Sequence, residues 1–349
     1  MTGSFSSPVR VLVVDDSAAM RAILQRILSA DPEIEVIGLA PEPHAAREMI
    51  RELNPDVLTL DVEMPGMDGL TFLEKIMRLR SMPVVMCSTL TARGTEVAIE
   101  ALRLGAVDCI AKPLGGAADM IGQGEALCRM VKVAARSTVS PRSSRLPSTP
   151  VAALPMGTAG HRDRVIAIGA STGGVEALFA LVSALPADCP PILVVQHMPA
   201  TFTRSFAERL DRECRLHVVE ATDGTPVKRG TVYIAPGGEH HMVLTGGVHG
   251  HIRLVPGDSI GGHRPAVDAL FHSVASLGSQ AVGVILTGMG RDGAAGLAAM
   301  RAAGARTLGQ NQASCVVYGM PRAALESGAV EKEVSLSAMP EAILAACRT

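Results

Sequence analysis

Short apolar runs recur along the first third of the chain, at VRVLVV (9–14), IEVIG (34–38), DVLTL (56–60), PVVMC (83–87) and VDCI (107–110). They are near-continuous rather than alternating, which is how parallel strands buried on both faces read. Between them, apolar positions return at helical spacing over 17–30, 43–53, 69–80, 94–104 and about 117–135. Five such βα units predict one doubly wound α/β domain. The second half repeats the logic with longer spacing. Strands are predicted at VIAIGA (165–170), PILVVQ (191–196), RLHVVE (215–220), VYIAP (232–236) and VGVILTG (282–288), and helices at 174–185, 200–213, 265–277 and 293–303. HMVLTGGVHGHIRLVPG (241–257) reads as an antiparallel hairpin turning near Gly246-Gly247. The fold class is therefore α/β with two doubly wound domains, the second mainly parallel and carrying a hairpin.

The two patterns are separated by residues 131–163. The 27 residues from Ser137 to Asp163 hold five Ser, three Thr and four Pro and show no period, so they cannot bury enough surface to offset their ordering entropy. This predicts a first domain over 8–130, a flexible linker over 131–163 and a second domain over 164–349.

Composition narrows the function. Among 349 residues there are six Phe, two Tyr and no Trp, against 17 Met and 35 Gly. Cores must be aliphatic, and stacking platforms for single-stranded nucleic acid or sugars are excluded. The second half has no compact helix-turn-helix with a basic stripe, so a DNA-binding output is disfavoured. No apolar run approaches membrane-spanning length, and MTGSFSSPVR lacks the apolar core of a signal peptide. The seven Cys are scattered and never spaced C-x-x-C, which predicts a reducing, cytoplasmic setting. Residues 1–115 carry net −5 and residues 116–349 net +3. Opposite signs favour docking of the halves, weakly after salt screening.

In the first half, chemistry-bearing residues gather at strand ends: Asp15-Asp16, Asp61, Ser88, and Lys112 before Pro113. Ligands of open parallel sheets bind outside the carboxyl ends of the strands. Three carboxylates there repel one another unless a cation joins them, and a hard divalent ion such as Mg²⁺ suits oxygen ligands. A lysine and a hydroxyl at the same rim suit an incoming phosphoryl group. Taken singly, each of these residues also reads as a helix N-cap, a turn former or a solvated charge.

VLVVDDSAAMR, DVLTLDVEMPGMDGL, PVVMCSTLT and GAVDCIAKP, together covering about 8–130, resemble the response-regulator receiver domain. The resemblance implies that Asp61 is the phosphoacceptor of a histidine kinase. Asp15, Asp16 and Asp61 would hold Mg²⁺ with the backbone carbonyl of Glu63, Ser88 would bond the phosphoryl group, and Lys112 would pair with it. The family's switch aromatic falls at Cys109 here, which departs from the usual ring-flip readout.

In the second half, VIAI runs into Gly169-Ala170-Ser171-Thr172-Gly173-Gly174, PILVVQ into His197, and VGVILTG into Met289-Gly290-Arg291-Asp292. If these strands are parallel, Ser171, His197 and Asp292 share one sheet edge. They are the components of a nucleophile, a general base and an orienting carboxylate. GASTGG alone is equally a phosphate-binding loop or a tight turn. The chain order Ser, His, acid differs from the α/β-hydrolases, and Gln196-His197 stands where a dinucleotide site wants an acid. His240, His241, His249 and His251 lie about the hairpin without an evident third ligand type.

IAIGASTGGVEAL, VVQHMPATFTRSFAERL, ATDGTPVKRGTVYIAPGGEHHM, HRPAVDALFHSVA and GVILTGMGRDGAAGL resemble the catalytic domain of the chemotaxis protein-glutamate methylesterases over about 164–345. Carried over by position, Ser171 is the nucleophile, His197 the base and Asp292 the carboxylate. The Met289 amide would contribute to the oxyanion hole, with Thr172 beside the nucleophile. The resemblance implies hydrolysis of γ-glutamyl methyl esters, and deamidation of glutamines, on chemoreceptors. The esterase step would need no cofactor, and the partners would be a chemotaxis-type kinase and methyl-accepting receptors, with no nucleic acid and no membrane insertion. The competing readings are a same-family esterase of another sensory pathway, or a regulator whose second half only binds.

Overall fold

The five apolar runs of the first half become five parallel strands, β1 (Val9–Val14), β2 (Ile34–Ala40), β3 (Val57–Asp61), β4 (Val84–Thr89) and β5 (Asp108–Lys112), in the order β2-β1-β3-β4-β5. The computed structural model describes residues 7–64, 68–89, 91–112, 124–139 and 163–348. The helices described between and after these strands are α1 (Ala18–Leu28), α2 (Pro43–Leu53), α3 (Gly69–Leu79), α4 (Ala92–Arg103) and α5 (Gly124–Ala135). Side chains of Ser17, Asp68 and Thr91 accept the Met20, Thr71 and Gly94 amides and so cap α1, α3 and α4. Each cap contributes about 1 kcal/mol. Ser17, not its acidic neighbours, is thus the cap after β1, which leaves Asp15 and Asp16 to other work.

The chain divides into two units, Met1–Leu146 and Pro147–Thr349. That division falls inside the predicted linker, but the linker does not start at residue 131. Helix α5 continues to Ala135 because Leu127, Cys128, Val131 and Ala134 form a buried stripe at helical spacing. Lys132 on the same helix reaches Asp31 and Glu33, 2.7 Å from each. Most of the linker, residues 140–162, lies outside the described residues, as do Pro113 and the 117–123 part of the last predicted helix.

The second unit has a seven-stranded parallel sheet. Its strands are β6 (Val165–Ala170), β7 (Ile192–Gln196), β8 (His217–Glu220), β9 (Thr231–Ile234), β12 (Ala281–Ile285), β13 (Arg306–Gln310) and β14 (Lys332–Val334), in the order β14-β13-β12-β6-β7-β9-β8. The hairpin pairs β10 (His240–Thr245) with β11 (His251–Pro256). Its turn uses Gly246 and Gly247 at positive φ, as the sequence predicts. The helices are α6 (Gly174–Ala184), α7 (Ala200–Glu213), α8 (Val267–Ala275), α9 (Ala294–Ala302), α10 (Met320–Glu326) and α11 (Met339–Arg348). Strands β13 and β14 and helices α10 and α11 have no counterpart among the predicted elements. RTLGQ holds one large apolar side chain and KEV is three residues long, so neither carries a readable period.

The core is aliphatic, with Met300, Met320, Met339 and Phe271 fully buried. Among the described residues, no helix is long and apolar enough to cross a membrane.

Candidate active site

The site of the second unit lies at the carboxyl ends of β6, β7 and β12, three adjacent central strands. Ala170 of β6 is in register with Gln196 of β7, so the next residues, Ser171 and His197, emerge side by side. Parallel neighbours lie about 4.8 Å apart, which fixes the scale of that pairing. The Ser171 amide donates to the Thr287 carbonyl at 3.0 Å, and the His197 amide to the Ala170 carbonyl at 3.1 Å. After Ser171 the chain turns at once into α6, with the Gly174 amide donating back to the Ser171 carbonyl at 2.7 Å. The turn needs Gly173 at φ 77°, where any Cβ would also lie 2.5 Å from Val316. Ser171 is thereby held on a tight strand-to-helix turn beside a helix N-terminus.

His197 Nε2 lies 2.8 Å from Asp292 Oδ2, with both side chains nearly buried. Asp292 also accepts the Val267 amide on Oδ2 at 2.7 Å and the Asp268 amide on Oδ1 at 2.9 Å. Burial pushes the Asp292 carboxyl up, but the His197 hydrogen bond and these amides outweigh it and hold it below the usual carboxylate range. An ionised Asp292 accepts the Nε2 proton of His197. The other ring nitrogen, Nδ1, is buried and without a hydrogen-bond partner among the described residues. This is the arrangement of an oriented imidazole whose second ring nitrogen is left unengaged by the protein.

Two polar side chains that the sequence reading passed over brace these loops. Gln196 is buried at the end of an otherwise apolar strand, and its amide donates to the carbonyls of both Ser171 (2.9 Å) and His197 (3.0 Å). Thr287 Oγ1 donates to the Thr172 carbonyl at 3.0 Å and accepts the Val317 amide at 2.9 Å. Both are legible in hindsight as polar residues where the strand pattern asks for apolar ones. Gly288 packs so closely that a Cβ there would meet Met320 Sδ at 2.4 Å and Ser171 Cβ at 2.8 Å. Beyond Gly288, the Met289 amide finds no carbonyl acceptor among the described residues, so it is free to donate to a ligand.

A third residue passed over is His263. Its ring stacks on His197 with centroids 3.7 Å apart and an interplanar angle of 4°. The hairpin histidines do not assemble a metal cluster among the described residues. His241 instead makes backbone contacts, and His249 pairs with Asp163 at 3.0 Å on the surface.

In the first unit, Asp15, Asp16 and Asp61 converge, with ligand oxygens within 4.8 Å of one another. Asp15 and Asp61 are buried and Asp16 is exposed. Lys112 Nζ lies 2.7 Å from Asp15 and 2.8 Å from Asp61. Burial raises the Asp61 carboxyl above its usual range, with Lys112 opposing. Lys112 is itself raised, because attraction to Asp61 and Asp15 outweighs its burial. This donor set of clustered carboxylates, one of them open to solvent, fits a divalent cation. The Glu63 amide donates to Asp61 Oδ1 at 3.3 Å, placing that residue at the cluster. The Ser88 hydroxyl donates to the Gly94 carbonyl at 2.8 Å. Cys109 is buried, and burial pushes its thiol well up.

Residues 166–343 match the family described as CheB methylesterase, and residues 11–121 the response regulator receiver domain. A protein-glutamate methylesterase/protein-glutamine glutaminase 1 of Caulobacter vibrioides is 56% identical over 341 residues, spanning 96% of this chain and 97% of its own length. A protein-glutamate methylesterase/protein-glutamine glutaminase of Salmonella typhimurium is 50% identical over 97% of each chain. The crystal structure of the Thermotoga maritima CheB methylesterase catalytic domain is similar at 39% identity and a TM-score of 0.51, covering 52% of this chain and 97% of that one.

Proposed function

The chain belongs to the CheB methylesterase family, and from that premise we propose that Ser171, His197 and Asp292 carry its hydrolysis as nucleophile, base and orienting carboxylate. The activity is that of a protein-glutamate methylesterase and protein-glutamine glutaminase of chemotaxis, with a receiver domain ahead of the catalytic one. The observation that carries the assignment is the 2.8 Å His197–Asp292 contact, which leaves Nδ1 unpartnered one strand away from Ser171.

Ser171 Oγ adds to the γ-carbonyl carbon while its proton passes to His197 Nδ1. The charge that forms on the carbonyl oxygen is met by the Met289 amide, a contribution of about 3 kcal/mol, with Thr172 beside it. Collapse breaks the bond to the methoxy oxygen, or to the amide nitrogen of a glutamine. Nδ1 returns the proton, and methanol or ammonia leaves. Water then adds to the glutamyl-serine ester with Nδ1 again taking a proton, and Ser171 departs with that proton to leave glutamate. Asp292 stays ionised throughout and stabilises the transient imidazolium.

In the receiver, Asp61 accepts the phosphoryl group from a chemotaxis-type histidine kinase. Asp15, Asp16, Asp61 and the Glu63 carbonyl would hold Mg²⁺, which when bound neutralises charge on the phosphoryl oxygens. Lys112 and Ser88 serve the same oxygens, and Cys109 takes the place of the family's switch aromatic. The protein substrate is a methyl-accepting chemoreceptor. Residues 136–163 link the domains, and the seven unpaired cysteines support a cytoplasmic setting.

Methanol release from methylated receptor membranes, with and without acetyl phosphate, tests both halves. Ser171→Ala abolishes release while Asp61 is still phosphorylated, and Asp61→Asn retains release but loses the response to acetyl phosphate. Turnover by Ser171→Ala would remove Ser171 as nucleophile.

A further inference from the structure

His197 is tethered in its ring plane at one end only. Asp292 holds Nε2, whereas Nδ1 has no protein partner among the described residues. One hydrogen bond leaves the ring free to tilt about that contact, and a tilt moves Nδ1. What meets the ring across its face is the parallel ring of His263, 3.7 Å away.

The segment bearing His263 is built to hold still. Ile260 and His263 exchange backbone hydrogen bonds of 3.0 Å each way across Gly261 and Gly262. Both glycines have positive φ, as a tight primed turn requires. On the following residue, Arg264 Nε donates to the Gly238 carbonyl at 2.9 Å and Nη1 to the Gly257 carbonyl at 2.8 Å. Buried His241 then closes the loop. Its Nδ1 accepts the Ala266 amide at 3.1 Å, so its Nε2 carries the proton and donates to the Asp258 carbonyl at 2.9 Å. One hairpin histidine thus ties both ends of the Asp258–Ala266 loop to β10 and fixes its own tautomer in doing so.

We infer that His263 is a positioning residue: it stacks on His197 and holds that ring in the orientation from which Nδ1 takes the Ser171 proton. The inference rests on the assignment of His197 as the base. The aromatic face, rather than the titration of His263, is what acts, so a phenyl ring does the same work.

The test measures kcat, KM and the pH dependence of kcat for methanol release by the full chain, for His263→Ala, His263→Phe and His197→Ala. A misaimed base costs kcat on the order of 10²-fold. His263→Ala is expected to lose that much with KM within about twofold, because the group acts on the chemical step rather than on binding. His263→Phe recovers most of the loss and keeps the wild-type pH profile. Wild-type kcat in His263→Ala, a change in KM alone, or a His263→Phe variant as slow as His263→Ala would each overturn the inference. A shifted pH profile in His263→Phe would overturn it too, by showing that the ionisable group matters. Should His263→Ala fail to fold, His263→Phe carries the decision. Activity in His197→Ala would instead sink the assignment of the base, which separates the two failures.

Discussion

Asp292 receives three hydrogen bonds, and one of them comes from Nε2 of His197, 2.8 Å away. An amide at this position has one oxygen to offer and brings N–H groups of its own to face the Val267 and Asp268 amides. Asp292→Asn is therefore expected to lower kcat by about 10⁴-fold, through loss of the correct His197 tautomer. It should also cost about 1–3 kcal/mol of stability from the amide left unsatisfied. Single-turnover methanol release and denaturant unfolding measure the two effects separately.

The same carboxyl makes a prediction about pH. Its folded-state pKa lies below the unfolded one, because the His197 and backbone hydrogen bonds outweigh burial. A group of this sign contributes stability that is fully present above the unfolded value, about 4 for Asp, and is lost as pH falls through the lower folded value. The part of the stability difference between wild type and Asp292→Asn that comes from the ionised carboxylate should shrink only below about pH 4. A difference that does not shrink well below pH 4 would contradict the buried, ionised Asp292.

In the receiver, Asp16 is the exposed member of the acidic cluster, so its loss leaves the buried Asp15–Lys112–Asp61 arrangement in place. Mg²⁺ should raise the unfolding temperature of the wild-type chain relative to EDTA, by about 2.7 kcal/mol of stability at a hundredfold excess over Kd. Asp16→Asn should lose most of that increment while unfolding like wild type in EDTA. An identical Mg²⁺ increment in the variant would remove Asp16 from the site.

Gly288 supports Ser171 by being small. An added methyl would lie 2.4 Å from Met320 Sδ and 2.8 Å from Ser171 Cβ. Gly288→Ala should cost about 1–3 kcal/mol through overpacking and lower kcat by displacing the nucleophile. Thermal melts and methanol release read the two, and wild-type values in both would refute the close packing.

The sequence made the strands that build the two sites legible because they are buried on both faces and nearly uninterrupted. Strand β7, ILVVQ, is an example, and its register with β6 makes Ser171 and His197 neighbours. What stayed hidden has a common physical origin. Strands β13 and β14 owe their pairing to the sheet they join rather than to a period of their own. His263 is brought to His197 by a turn of two glycines and a staple from His241, contacts between distant segments that leave no local pattern. The helix predicted to about residue 135 does end at Ala135, but a composition shift set the domain boundary at residue 130, inside the buried stripe that runs on through Val131 and Ala134.

The order of the second sheet sets β6 between β7 and β12, so the chain leaves the strand that ends at Ser171, adds the one that leads to His197 on one side and returns much later to add the one that leads to Asp292 on the other. His197 and Asp292 are 95 residues apart in sequence, and no continuous fragment shorter than most of the unit contains these two residues and Ser171. On the proposed assignment, the last of these strands to dock completes the chemistry. Recovery of turnover after dilution from denaturant therefore serves as a clock for the long-range assembly of the sheet, a signal that helix formation alone cannot start.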